Sequence, residues 1–278
     1  PPPPPPPSFQ AEDGIRDVAG CLVGSEMCIR DSYYYGFNLT KPPFKDNLKL
    51  RRALSMAIDR KIITEKITGI GEQPSYSWVP PGIPGYTSAR LDYADWTQQQ
   101  REQEAKKLYQ EAGYSRSNPL TVEIRYNTSE NHKKLAVVIA SMWKKVLGIK
   151  TRLVNEEWKV FLENRKQKQV TQVFRAGWIG DYNDPYTFAE LMHSKHGIND
   201  PGYDNPQYDE LLKQAAFETD ADKRIDILRQ AEQILLDDQP IMPIYSYVSK
   251  HLIKPYVGNY RPNVLDHNYT KDLYILAH

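Results

Sequence analysis

Cysteine is scarce in this chain, which has two in 278 residues. Both, Cys21 and Cys28, lie within the first 32 residues, so the rest of the chain has none. Their absence from residues 33–278 excludes disulfides, thiolate nucleophiles and cysteine-ligated metal sites from that part. It is compatible with an oxidising compartment but does not require one.

Long apolar runs and catalytic motifs are also absent. No run reaches the roughly 20 apolar residues that a membrane span needs. The net charge of +1 is too balanced to predict a nucleic-acid partner. The six histidines form no H-E-x-x-H motif, and neither G-x-G-x-x-G nor G-x-S-x-G occurs. We therefore expect no metal, no cofactor and no enzymatic activity.

The head of the chain, residues 1–32, differs in character from the rest. It opens with seven prolines and continues without the basic start and apolar core of a signal peptide. The stretches Ala11–Asp17 and Cys21–Ser32 resemble a translated sequencing adaptor. We expect this head to be non-native and disordered, and we leave it out of the fold prediction.

Segments of strand and helix character alternate after the head. In the middle of the chain this alternation favours βαβ units and a largely parallel sheet. The long loop Glu72–Tyr93 is rich in aromatics, which favours packing over disorder. Strands are predicted at 32–38, 120–126, 149–155, 170–174, 240–248, 252–257 and 273–276, and helices at 47–58, 62–67, 98–112, 131–147, 158–167, 206–217 and 221–236.

The stretch from Arg175 to Phe188 follows a predicted strand, where α/β proteins place ligand sites. Its glycines, Gly177 and Gly180, allow tight turns or a close approach to a ligand. Asp184 has a simpler explanation as the residue before Pro185 at a helix start. Elsewhere, aromatic and charged residues at strand ends and helix starts, without a nucleophile or metal set, are typical of binding rather than catalysis.

The chain resembles a known family from about Tyr33 to His278. The residues that carry the resemblance include Ala53–Arg60, Tyr126–His132, Val154–Lys159, Arg175–Pro185 and Ile244–Val248. Together they are similar to the C-terminal half of periplasmic oligopeptide-binding proteins of ABC importers, in solute-binding protein family 5. Gly69–Pro74 and Ser129–His132 are nearer to the murein-peptide-binding branch.

The resemblance implies an α/β fold, one lobe of a bilobal periplasmic-binding-protein fold (type II-like), with a mixed sheet flanked by helices. It places the substrate-binding lobe at 33–248 and, at 249–278, a segment that returns to a missing N-terminal lobe. It implies a periplasmic, monomeric solute-binding subunit that partners the membrane subunits of an importer. With half a site, we expect the chain alone to bind peptide weakly or not at all.

The resemblance also implies a ligand-binding set. Asp181 would pair with the α-ammonium of the peptide, and Arg175 and His132 with its carboxylate. Trp158 and Arg165 would line a side-chain pocket, and Tyr247 would lie near the ligand backbone. The remaining members of the set are Gly177, Trp178 and Ile179. The family's lysine before the Pro-rich loop is replaced near Thr68, which puts one carboxylate contact in doubt.

Three other interpretations stay open. The first is a murein tripeptide receptor in which Arg165 pairs with an extra acidic group of the ligand. The second is a carboxylate-dependent hydrolase that uses Asp181 and Asp184. The third is an interaction domain that docks to the importer through the loop at 72–93.

Overall fold

The computed structural model describes residues 31–248, 253–261 and 269–277. They divide into two compact units, one that includes residues 31–248 and another that includes the described parts of the segment after residue 248. Residues 1–30 of the predicted head lie outside the described residues. The first strand begins at Asp31, which we assigned to the head, and Ser32, where we predicted the strand to begin, also pairs with the neighbouring strand.

A six-stranded sheet forms the centre of the larger unit. In the described residues its strands are β1 (Asp31–Phe37), β2 (Gln73–Pro74), β3 (Thr121–Asn127), β4 (Lys150–Glu156), β5 (Val173–Ile179) and β6 (Ile241–Ser246). The strand order is β2-β6-β1-β5-β3-β4. β3 is parallel to β4 and β5, whereas β1 is antiparallel to β5 and β6, and β2 is antiparallel to β6. The sheet is therefore mixed, as the resemblance implies, and not largely parallel.

Helices flank this sheet, and their ends follow local capping chemistry. Asn47 and Asp59 accept hydrogen bonds from Leu50 N and Ile62 N at two helix starts. Gly148 ends another helix with a φ of 77°, which glycine adopts without strain. The helices are α1 (Leu48–Met56), α2 (Arg60–Ile62, continued as a π-helix over Ile63–Thr68), α3 (Gln98–Glu111), α4 (Glu130–Leu147), α5 (Trp158–Gln167), α6 (Tyr186–Ala189, continued as a 3₁₀ turn over Glu190–Met192), α7 (Pro206–Phe217) and α8 (Ala221–Asp238).

β5 differs most from its prediction. It begins three residues later than expected and runs to Ile179, so Arg175, Gly177 and Trp178 lie in a strand and not in a loop. The strand extends to Ile179 because it pairs with β1, a distant segment of the chain whose Asp31 lies opposite Ile179.

The long loop at 72–93 packs against the body of the unit, as its composition predicts. The Trp78 side chain is buried, and a single carboxylate, that of the buried Glu232 on α8, holds the loop. It accepts hydrogen bonds from Trp78 N at 2.9 Å, Val79 N at 2.7 Å, the Tyr86 hydroxyl at 2.7 Å and Ala89 N at 2.8 Å. The loop therefore turns Trp78 and Tyr86 inward.

The second unit contains a short antiparallel pair, β7 (Val257–Gly258) and β8 (Tyr274–Ile275), with a 3₁₀ turn at Thr270–Asp272 between them. Both strands are shorter than predicted, and Leu252, where the first was expected to begin, lies outside the described residues. None of the helices in the described part of the chain combines the length and apolar character needed to cross a membrane.

Candidate ligand-binding site

Tyrosines of two neighbouring strands meet on one face of the sheet. Because side chains alternate along a strand, Tyr33 and Tyr35 of β1 lie on the same face. Tyr33 is opposite Tyr245 of β6 in the register, and their rings stack with centroids 4.7 Å apart and planes 13° apart. The Tyr35 ring meets that of Tyr33 edge-on at 6.0 Å. All three rings are fully buried, which gives a rigid aromatic platform.

Arg175 lies on this platform because β5 pairs with β1 on the other side, with Arg175 opposite Tyr35. Its guanidinium is 5.0 Å from the centre of the Tyr33 ring, a cation–π distance. Nη1 donates to Asn127 Oδ1 at 3.4 Å, whereas Nε is buried and has no hydrogen-bond partner among the described residues. In this part of the chain Arg175 forms no ion pair with a carboxylate, so its charge is uncompensated.

Gly177 lies where β5 and β1 approach closely. A Cβ atom at this position would lie 2.9 Å from the carbonyl oxygen of Ser32, which is too close, and 3.6 Å from Arg175 Nη2, which is an ordinary contact. A side chain at Gly177 would therefore displace the backbone of β1.

His132 meets the same cluster from the first turn of α4. Its Nδ1 lies 3.2 Å from the Tyr33 hydroxyl, and the two rings are 5.7 Å apart. Burial, and then the nearby charge of Arg175, lower the pKa of His132 to about 4. The imidazole is consequently neutral at pH 7.

Tyr247 completes the cluster just after β6. Its backbone N–H donates to the carbonyl of Asp31 at 3.0 Å, which fixes the chain beside β1. Its ring meets those of Tyr245 at 5.1 Å and Tyr33 at 6.0 Å edge-on. Three of the predicted site residues thus surround Tyr33. We call the group the Tyr33 cluster; its members are Tyr33, Tyr35, His132, Arg175, Tyr245 and Tyr247.

The end of β5 carries the next predicted residues. Trp178 is half-buried, and its indole Nε1 is buried without a hydrogen-bond partner among the described residues. Ile179 is exposed. Asp181 follows in the loop, and its backbone N–H donates to Thr187 Oγ1 at 3.1 Å. Its carboxylate is exposed and forms no ion pair in the described part of the chain, so it is open to a cation.

Asp184 has a structural role three residues further along. It accepts from Arg224 Nη1 at 2.7 Å and Nη2 at 2.9 Å, in the two-pronged geometry that arginine forms with carboxylates. Its Oδ1 also accepts from Tyr186 N at 2.8 Å at the start of α6. This carboxylate joins the loop to α8.

Arg165 and Trp158 lie apart from the Tyr33 cluster. The Nε of Arg165 is 2.7 Å from a carboxylate oxygen of Asp200, and both side chains are largely buried. The guanidinium lies 6.0 Å from the ring of Phe174, which alternation places on the opposite face of β5 from Arg175. Trp158, at the start of α5, is half exposed and stacks on Phe161 at 6.1 Å.

Our prediction of the site missed Tyr33, Tyr35 and Asn127, and it left Tyr245 outside the ligand-binding set. The run Tyr33-Tyr34-Tyr35 was visible as a strand, but its central place in the sheet was not. Only the pairing of β1 with both β5 and β6 brings these rings to Arg175.

Comparison with known proteins decides the family. The model of the bacterial extracellular solute-binding proteins, family 5 Middle, matches residues 1–200. The chain belongs to this family. It is 42% identical over 248 residues to the periplasmic oligopeptide-binding protein OppA of Escherichia coli (strain K12), covering 89% of this chain and 45% of that protein.

A second relative is equally similar. The periplasmic murein peptide-binding protein MppA of Escherichia coli (strain K12) is 42% identical over 248 residues, which cover 89% of this chain and 46% of that protein. The structure of the murein tripeptide-binding protein MppA in its unliganded open form superposes with a TM-score of 0.85 at 39% identity, covering 96% of this chain and 51% of that one. The chain therefore spans about half the length of these relatives.

Proposed function

We propose that this chain is the peptide-binding part of an extracytoplasmic solute-binding subunit of an ABC importer. The observation that carries the proposal is Arg175, whose partly buried guanidinium has no counter-ion in the described residues. Leaving a buried charge unpaired is unfavourable, so the site favours an anion. A carboxylate fits because arginine offers two parallel donors to its two oxygens.

The two termini of a peptide carry charges opposite to those of Arg175 and Asp181, the two charged groups of the site. The C-terminal carboxylate would bind Arg175 and His132, and the α-ammonium would pair with the exposed carboxylate of Asp181. Tyr247, Trp178, Gly177 and Ile179 would lie along the peptide backbone. Recognition of termini and backbone tolerates many side chains, because every linear peptide offers the same groups.

Trp158 and Arg165 would line a pocket for a peptide side chain. The exposed face of Trp158 suits this role directly. Arg165 would act from its ion pair with Asp200, which orients the guanidinium.

A murein tripeptide is the second candidate ligand, and the 42% identity to a murein peptide-binding protein favours it. Such a ligand carries an additional acidic group that would need a cation. Arg165 could bind this group only by sharing or breaking its ion pair with Asp200. This requirement favours an ordinary peptide as the ligand.

We further propose that the chain is not a hydrolase. Of the two aspartates that could form a carboxylate pair, Asp184 is held by Arg224 in two hydrogen bonds. Both carboxylate oxygens of Asp184 are therefore engaged with Arg224 rather than with a substrate. We therefore propose that Asp181 binds the ligand and takes no part in catalysis.

The organisation of the chain follows from the proposed role. Residues 33–248 would be one substrate-binding lobe, residues 249–278 a return to the other lobe, and residues 1–32 a non-native head. The protein would act as a monomer in the periplasm and deliver its ligand to the membrane subunits of the importer.

A titration with blocked peptides tests the proposal. We would follow amide signals of the ¹⁵N-labelled chain while adding trialanine, its N-acetyl form or its C-terminal amide. Because the chain spans about half the length of its relatives, we expect it to bury little of the ligand and to bind with affinity far weaker than micromolar. Blocking either terminus of trialanine should weaken binding by at least about threefold, the cost of one charge-assisted contact.

Two outcomes would contradict the proposal. Equal shifts with all three peptides would show that the termini are not recognised. Micromolar affinity for trialanine would show that the chain does not form a mere half-site. As a matched control, Arg229→Ala removes an exposed arginine whose partner, Asp226, lies on the same helix, and it should leave the titration unchanged.

A further inference from the structure

The contact between Tyr33 and His132 has two possible polarities. Either the tyrosine hydroxyl donates to Nδ1, or a protonated Nδ1 donates to the hydroxyl oxygen, and the 3.2 Å distance fits both. The choice matters because a neutral imidazole carries one proton. If Nδ1 accepts, the proton is on Nε2, which then becomes a donor; if Nδ1 donates, Nε2 is an acceptor.

The charge of Arg175 selects between the two arrangements. A guanidinium donates hydrogen bonds and accepts none, and this one is 5.0 Å from the Tyr33 ring centre. A cation favours the orientation in which the phenol oxygen turns its lone pairs toward the positive charge and its proton away. The proton of Tyr33 is then directed to Nδ1 of His132.

The surroundings hold both groups in place. Among the residues that the structure describes, the other titratable groups that face the pair are tyrosines, namely Tyr35 on β1 and Tyr245 and Tyr247 on or just after β6. Stacking on Tyr245 with planes 13° apart fixes the ring of Tyr33. Burial raises the pKa of Tyr33 above its ordinary value, so the phenol keeps its proton at neutral pH.

We propose that Tyr33 is a positioning residue that donates to Nδ1 of His132 and thereby holds the imidazole in the tautomer protonated on Nε2. Nε2 has no hydrogen-bond partner among the described residues, so this donor is available to a ligand. Beside Arg175, it makes a second donor for an anion. The tautomer assignment stands on the structure, whereas its use in holding a peptide carboxylate rests on the proposed function.

The tautomer can be read directly by NMR. Long-range ¹H–¹⁵N correlation spectra of the histidine rings, recorded on the 278-residue chain at pH 7 without peptide, distinguish a protonated ring nitrogen from an unprotonated one. We expect His132 to show protonated Nε2 and unprotonated Nδ1. In Tyr33→Phe, which keeps the stacked ring, this single tautomer should give way to a mixture.

Tyr34→Phe is the matched control. It removes a tyrosine hydroxyl from the same strand but from the opposite face, where the Tyr34 ring packs against Trp78 and not in the Tyr33 cluster. We expect its His132 spectrum to equal that of the original chain. A protonated Nδ1 in the original chain, or an unchanged tautomer in Tyr33→Phe, would overturn the proposal. The spectrum of the original chain tests the assigned tautomer of His132 even if a variant fails to fold.

A binding measurement separates this inference from the proposed function. Tyr33→Phe should weaken the binding of trialanine by the reciprocal of the Nε2-protonated fraction in its spectrum, about twofold for an even mixture, and should not affect trialanine amide. If the original chain does not distinguish the two peptides, the proposed function fails while the tautomer result stands. If it does distinguish them and Tyr33→Phe binds as tightly, the positioning role fails.

Discussion

The Tyr33 cluster and the Glu232 anchor of the loop at 72–93 are both polar groups set among buried aromatics, yet their hydrogen bonding differs. The Glu232 carboxylate accepts four hydrogen bonds from the loop. In the Tyr33 cluster, Arg175 Nε and the hydroxyls of Tyr35 and Tyr245 are buried without partners in the described part of the chain. Buried polar groups are almost always satisfied when their role is structural. The difference indicates that Glu232 holds the fold together, and it supports our proposal that a ligand completes the Tyr33 cluster.

The largest effect is expected for Glu232→Ala. The substitution leaves the backbone N–H groups of Trp78, Val79 and Ala89 and the Tyr86 hydroxyl buried without an acceptor. We expect the free energy of unfolding to fall by about 4 kcal/mol. Urea denaturation followed by tryptophan fluorescence measures it, with Asp226→Ala on the exposed face of α8 as control. A loss under about 1 kcal/mol would contradict the anchoring role.

The pH dependence of stability is a smaller test of the same anchor. Burial raises the pKa of Glu232 from 4.5 to about 7, although its hydrogen bonds oppose the shift. The folded state therefore holds a proton that the unfolded state releases between pH 4.5 and 7. Relative to Glu232→Gln, the unfolding free energy should decrease as the pH rises through this window, by at most about 3 kcal/mol, and level off above it.

Denaturation curves of both proteins at several pH values from 4.5 to 8 would provide the check. The difference between the two proteins cancels the contributions of other groups. A difference that stays constant with pH, or that grows as the pH rises, would show that Glu232 is ionised throughout.

The smallest effect is expected at the ion pair of Arg224 and Asp184, which links the Asp181 loop to α8. Both side chains are partly exposed, so Arg224→Ala should lower the unfolding free energy by only about 1 kcal/mol. Because the pair fixes the loop that carries Asp181, the preference for trialanine over its N-acetyl form should also decrease. Arg229→Ala on the same helix serves as the control, and equal behaviour of the two variants would contradict a positioning role for Arg224.

Local chemistry made much of the fold predictable. The bounds of α5 and α7 agree with the predicted 158–167 and 206–217, because capping residues and apolar periodicity act within a few residues. Whether a segment forms a helix or a strand could therefore be predicted more readily from the sequence than which strands lie next to each other in the sheet.

Contacts between distant segments could not be predicted. The length of β5 depends on β1, about 140 residues earlier in the chain, and Arg165 meets Asp200 across 35 residues. Arg175, His132 and Tyr247 were named through resemblance, and their common neighbour Tyr33 emerged only from the pairing of strands. The roles of the predicted ligand-binding residues stay predictions.

The most direct test compares stability and binding in Arg175→Met. Methionine fills much of the same volume without the charge, so removing an uncompensated guanidinium should leave the unfolding free energy within about 1 kcal/mol of the original. Binding of trialanine should fall at least about threefold, to the level of trialanine amide. A loss of stability comparable to that of Glu232→Ala, with peptide binding retained, would show that Arg175 is a structural residue and would contradict the account of the Tyr33 cluster as a ligand site.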